Sequence, residues 1–232
     1  MSAENQSEMR NKKLPRSIPV NRHDLMLRLC EGKTVLDLGC ADYPMTEERY
    51  RKGELLFAKL RKVAKNVTGV DNSLDGLETL RSLGFDDLVL GNAEELGELE
   101  MKGPFDVILA GELIEHLFNV GRFFEGVKQL MSPHTILIIS VPNAFAIKRF
   151  LRVLAGSELI NKDHAYYFSQ ANIELLTTTY GLHIRETYYY LAELHGRVKN
   201  ILFAPLGIFV KHLCPYVSDH LIFLCELTPR SE

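Results

Sequence analysis

The chain of 232 residues balances 27 Lys and Arg against 30 Asp and Glu, and 46% of it is apolar. That is enough to bury one sizeable core, and a net charge of -3 excludes any general attraction to nucleic acid or an anionic surface, so such a partner has to be argued from position. Cys30, Cys40, Cys214 and Cys225 show no CxxC spacing and follow no apolar leader, which predicts free thiols and a cytoplasmic setting. The longest apolar stretch, Ile201 to Cys214, is broken by Pro205, Gly207, Lys211 and His212 and is too short to span a bilayer.

In chain order, residues 1–21 are polar, mixed in charge and interrupted by Pro15 and Pro19, which predicts a flexible arm ahead of a single domain over 22–232. Arg22 to Cys30 reads as a short helix closed by Gly32, and Thr34 to Leu38 as a buried strand running into the loop Gly39-Cys40-Ala41-Asp42-Tyr43. A helix is expected around Glu54 to Ala64, a second strand over Asn66 to Asp71 and a helix over Leu74 to Leu83. Asp87 to Leu90 and Phe105 to Ala110 read as strands three and four. A helical segment from Glu112 to Leu117, a helix from Phe123 to Met131 and a fifth strand from Thr135 to Val141 follow. Five apolar strands alternating with helices specify an α/β architecture, a mostly parallel sheet covered on both faces. Its ligands bind beyond the carboxyl ends of the strands.

Beyond the fifth strand the pattern changes. Ala144 to Ile160 is amphipathic and carries Lys148, Arg149 and Arg152, and Phe168 to Tyr180 reads as a helix. His183 to Leu191 and Leu221 to Leu227 are expected to complete the sheet as a hairpin-like pair. Residues 144–162 and 198–215 are the insertions expected to cover a substrate, the alternatives being a solvated helix face and packing against the sheet.

Several residues at strand ends carry chemistry. Gly39 and Ala41 are small at alternate loop positions, which lets a ligand approach backbone N–H groups. Asp37 either accepts hydrogen bonds from that loop or receives the ammonium of a bound amino-acid moiety. Asp71, an acid ending the second strand, suits the two free hydroxyls of a ribose. Asn92, Ala93 and Glu94 close the third strand, where an amide or carboxylate meets an adenine amino group, although turn formation also explains Asn92. On a helix, Glu112, Glu115 and His116 share a face and converge at the sheet's carboxyl edge.

Together VLDLGCAD, VTGVDNS, GNAEEL, FDVILAGELIEHL and LMSPHTILIISVPN resemble, in that order, the motifs of class I S-adenosylmethionine (SAM)-dependent methyltransferases. The resemblance covers roughly Lys33 to Tyr190. It implies a three-layer Rossmann-like fold, a seven-stranded sheet with an antiparallel last strand, and SAM held by Asp37, Gly39, Ala41, Asp71, Asn72, Asn92, Ala93 and Glu94. The usual GxGxG departs here to Gly39-Cys40-Ala41-Asp42-Tyr43, which leaves a binding-only relative without catalysis as one alternative.

The segment Glu112 to His116 is similar to the ExxEH motif of metal-dependent O-methyltransferases of quinone-biosynthesis and small-RNA type, with His164 standing where a further histidine is expected. Two implications stay open. One is a divalent metal held by Glu112, Glu115, His116 and His164; the other is a metal-free acceptor site with Glu115 and His116 as the catalytic pair. A structural cap is the third reading of these residues. The stretch through AGELIEHL and SVPNAF also resembles small methyltransferases of surface-polysaccharide and glycolipid biosynthesis. That implies O-methylation of a small-molecule, sugar or lipid-linked acceptor, with peripheral membrane contact through the apolar insertion. RNA 2′-O-methylation is the alternative, and the acidic balance argues against it. The acceptor pocket falls in the variable segments, so neither acceptor nor oligomeric state follows from the motifs.

Overall fold

A computed structural model describes residues 13–229 apart from Ile18, Lys102, Leu159 and 193–207. The first half of the chain alternates strand and helix. α1 (Arg22–Cys30) precedes β1 (Thr34–Leu38), α2 (Thr46–Arg51) and α3 (Leu56–Val63) precede β2 (Asn66–Asp71), and α4 (Leu74–Ser82) precedes β3 (Leu88–Leu90). β4 (Val107–Gly111), α5 (Val120–Leu130) and β5 (Ile136–Pro142) follow, then α6 (Ile147–Leu154), α7 (Gln170–Thr179), β6 (Leu182–Tyr190) and β7 (His220–Leu227).

The seven strands form one sheet in the order β3-β2-β1-β4-β5-β7-β6. The first five are parallel, and β7 is antiparallel to both β5 and β6. The expected antiparallel last strand and hairpin-like pairing are both found.

Alternation along the strands splits the core into two layers. Leu36, Leu38, Ile108, Ala110, Leu137 and Ile139 face α5 and α7, packing on Phe123, Phe124, Val127 and Ile173. Val35, Val107, Leu109 and Ile138 face the other way, onto Met26, Phe57, Leu60, Leu77 and Leu80 of α1, α3 and α4. Each fully buried aromatic or branched side chain contributes about 1.5–3 kcal/mol by leaving water, so the five parallel strands are anchored from both sides. α6 is the exception, for none of its residues is buried.

Three differences from the sequence-based expectation have physical causes. α2 was not anticipated because TEERYR buries only Thr46 and shows no apolar stripe; Glu47 with Arg51 and Glu48 with Lys52 hold it as i,i+4 ion pairs. The segment expected to be helical from Glu112 to Leu117 is a single 3-10 turn at Ile114–His116, and Glu112 before it adopts φ 56°. A helical face shared by Glu112, Glu115 and His116 therefore does not exist. The arm, in its described part, is tied to β6: Val20 N–H donates to Tyr189 O at 2.8 Å and Tyr189 Oη donates to Pro15 O at 2.9 Å. The insertion expected over 198–215 lies outside the described residues up to 207, and 208–212 is helical.

Candidate active site

A cavity of about 820 Å³ opens at the carboxyl ends of β1, β2 and β4. Asp37, Gly39, Asp71, Asn72, Asn92 and Ala93 line one end, and Glu112, Glu115, His116 and His164 the other. Ten of the proposed site residues thus line one cavity. Ala41 and Glu94 do not.

The cofactor end is built by backbone donors meeting one carboxylate. Asp71 is 9% exposed; its Oδ2 accepts from Ala41 N at 2.9 Å and its Oδ1 from Ser73 N at 2.9 Å. Each oxygen keeps a lone pair for a further donor, so the loops after β1 and β2 are clasped without using up the acceptor. Gly39 at φ 79° makes the turn out of β1. Ala41 is fully buried and faces α4, where a Cβ at Gly76 would lie 2.8 Å from its methyl. The glycine absent at position 41 is matched by a glycine at 76, and the extra methyl is accommodated away from the cavity. Tyr43 stands half-exposed at the cavity wall, and Asp42, at φ 54°, pairs with Arg49.

No protein donor reaches the Asp37 carboxylate among the described residues, which removes loop capping as its role. Burial pushes its pKa up to about 7, and the nearby Arg22 charge opposes this. Asn92 caps the following 3-10 turn, its Oδ1 accepting from Glu94 N at 2.9 Å. The Glu94 carboxylate is turned to Phe118 N, Asn119 N and Asn119 Nδ2 at 2.7–3.1 Å, so it fixes the start of α5 instead of facing an adenine.

The other end is assembled from distant segments. Ala165 N donates to Glu115 O at 2.7 Å and Tyr166 Oη to Phe118 O at 3.1 Å, which staples residues 161–167 onto the turn at 114–116. This brings His164 to His116, with ring centroids 4.6 Å apart and planes nearly perpendicular. Ligand atoms of Glu115, His116 and His164 all lie within 4.8 Å of one another. Glu115 is 0% exposed, and among the described residues neither carboxylate oxygen has a hydrogen-bond partner. Burial, and next the Glu112 charge, push its pKa well up. His116 Nδ1 is 3.0 Å from Asp163 O, an arrangement that directs Nε2 elsewhere.

Glu112 does not join this cluster. Its N–H donates to Ser140 O at 2.9 Å and its Oε2 lies 2.8 Å from His220 Nδ1. Burial opposes its charge, but His220, Arg22 and Ser140 together outweigh burial and hold the carboxyl below the usual range.

Two contributors were missed in the sequence. Arg22, first residue of α1, lines the cavity with its Nε buried and unpartnered, and a Cβ at Gly111 would lie 2.5 Å from its Nη2. Its signal was a basic residue in the first turn of a helix, where the backbone dipole disfavours a cation. His220 had no local signal, because only the pairing of β7 with β5 brings it to Glu112.

A family model described as a methyltransferase domain matches residues 10–187. A ubiquinone biosynthesis O-methyltransferase of Azorhizobium caulinodans is 30% identical over 139 residues, covering 58% of this chain and 49% of the relative. The chain spans about half the length of the curated relatives it matches first. A SAM-dependent methyltransferase from Archaeoglobus fulgidus superposes with TM-score 0.58 at 15% identity, covering 88% of this chain and 91% of the other. A Burkholderia thailandensis 1,6-didemethyltoxoflavin N1-methyltransferase, solved with S-adenosylhomocysteine, gives 0.54 at 15% identity over 89% and 77%. The motif order, the 3-2-1-4-5-7-6 sheet and the family match agree: the chain belongs to the methyltransferase-domain family and has the fold of class I SAM-dependent methyltransferases.

Proposed function

We propose that this enzyme O-methylates a small-molecule, sugar or lipid-linked acceptor whose hydroxyl is presented to Glu115, His116 and His164. The observation that carries the reading is the meeting of these three groups at one end of the cavity, with a buried Glu115 that no protein donor satisfies. A buried polar group without a partner is costly, and such groups belong to sites completed by a ligand. The ubiquinone biosynthesis O-methyltransferases among the relatives point to the same chemistry.

At the donor end, Asp71 holds the ribose hydroxyls, Asp37 receives the methionyl ammonium and Arg22 faces the methionyl carboxylate. The methyl group is already activated on the sulfonium, so the protein mainly aligns the acceptor oxygen with the methyl carbon and takes the hydroxyl proton. His116 and Glu115 are the groups placed to take it. A divalent cation fits the same three residues: Glu115 offers an unpartnered carboxylate, and the Asp163 carbonyl at Nδ1 orients His116 as metal-bound imidazoles are oriented. Such an ion would supply Lewis-acid polarisation of the acceptor oxygen. Glu112, turned to His220, stands outside that ligand set.

The test is methyl-labelled SAM with a cell lysate, followed by separation of lipid, small-molecule, glycan, RNA and protein fractions. Label is expected in hydroxyl ethers of the lipid, glycan or small-molecule fraction. Label confined to RNA or protein, or attached to nitrogen or carbon, overturns the reading. Activity abolished by a chelator and restored by a divalent ion assigns the metal; full activity in chelator removes it.

A further inference from the structure

We propose that α6 docks this enzyme on an anionic lipid surface. Along α6, Ile147, Phe150, Leu151 and Leu154 recur at helical spacing as one apolar stripe. In a soluble domain such a stripe faces the core, as it does on α5. On α6 it faces outward: Phe150 is 56% and Leu154 69% exposed, and the neighbouring Phe145 is 67% exposed. Singly exposed apolar residues are ordinary, whereas a contiguous group that includes two phenylalanines marks a contact surface.

The opposite side of the helix explains its orientation. Lys148 Nζ donates to Asp219 Oδ2 at 2.8 Å, and Arg149 lies 4.4 Å over the ring of Tyr167, which neighbours His164 at 6.3 Å. Asn143 Nδ2, just before α6, bonds Tyr216 O and Ser218 O, both at 2.8 Å. The polar side is therefore clasped to the rim of the acceptor end, which leaves the apolar side to face away from the protein.

Charge selects the occupant. With Lys148 and Arg149 taken up by Asp219 and Tyr167, the exposed cations left around the stripe are Arg152 on α6 and Lys211 on the neighbouring 208–212 helix. Arg152 makes no ion pair among the described residues. The short helix at 208–212 adds exposed Ile208 and Phe209, followed by Lys211, and it leads into the loop that Asn143 and Lys148 grip. Apolar side chains flanked by cations are what an interfacial helix presents to anionic headgroups. A second copy of the chain would set these cations against each other. No helix among the described residues is long and apolar enough to cross a membrane, so contact is peripheral. The inference deepens the proposed function, and rests on it for its purpose, because it brings the acceptor end to where a lipid-linked hydroxyl resides.

Docking is tested without SAM or acceptor, so its failure is separate from failure of the methylation reading. The full chain is sedimented with phosphatidylcholine vesicles, with and without phosphatidylglycerol, at low and high salt. Partitioning is expected with phosphatidylglycerol and strongly reduced without it or in high salt. Leu154→Glu should abolish it, and Arg152→Glu should weaken it by about fivefold or more, since each basic residue at such a surface is worth about that factor. Both side chains are exposed, so thermal midpoints and methylation of a soluble acceptor should match the parent. Absence of binding to anionic vesicles, or undiminished binding by Leu154→Glu, overturns the proposal. So does a dimer in sedimentation velocity that Leu154→Glu dissolves, which would assign the face to a second copy.

Discussion

The two ends of the cavity are built on opposite plans. At the donor end each Asp71 oxygen accepts one backbone N–H, from Ala41 30 residues away and from Ser73, and keeps a lone pair for a further donor. At the acceptor end the Glu115 carboxylate has no hydrogen-bond partner among the described residues, and His164 reaches His116 from 48 residues away through a backbone staple. On the proposed reading, the donor end is preorganised for SAM. The acceptor end keeps unsatisfied polar groups and an outward-facing α6, features that make sense when substrate completes the site.

Four experiments break or sharpen that contrast. The largest effect is expected from His116→Ala, which should lower methyl transfer by about 10²–10⁴-fold. SAM affinity, measured by calorimetry, should stay unchanged; loss of both would mean that the two ends are not separable. Next, Gly76→Ala should destabilise the fold by about 1–3 kcal/mol in urea titration, because its methyl would press on Ala41. Adding Ala41→Gly should restore most of this, and strictly additive effects would disprove the pairing of the two positions.

Asp71→Asn should weaken SAM binding by about 1–3 kcal/mol through loss of charge-assisted bonds while leaving chelator sensitivity as it was. The fourth expectation is a pH dependence. With its folded pKa raised to about 7, Asp37 holds a proton in the folded state that the unfolded chain releases near pH 4. Stability of the ligand-free protein should therefore fall as pH rises from about 4 through 7. SAM affinity should rise through pH 7, as the carboxylate that meets the ammonium forms. Asp37→Asn should flatten both curves; unchanged profiles would place the titration elsewhere.

Much of this was legible in the residues. Five apolar strand segments between helical ones specify a parallel sheet, because only a strand buried on both faces is apolar at nearly every position. Strand-end positions then locate Asp37, Asp71 and Asn92, since such sheets bind at their carboxyl edge. The errors lie where backbone departs from regular periodicity. Glu112 to His116 has helical spacing, yet the left-handed Glu112 and its bond to Ser140 send that carboxylate to His220. Glu94 fits an adenine-binding motif, but two N–H groups and an amide from the start of α5 claim it.

The sequence by itself determined the fold, the donor and the strand-end acids, because these depend on local pattern and on chain order. Only the tertiary structure decided that Gly76 makes room for Ala41, that Arg22 reaches the cavity over Gly111, and that Glu112 pairs with His220 instead of joining Glu115, His116 and His164. Each is a contact between segments far apart in the chain, and its existence depends on interatomic distances that no periodicity encodes.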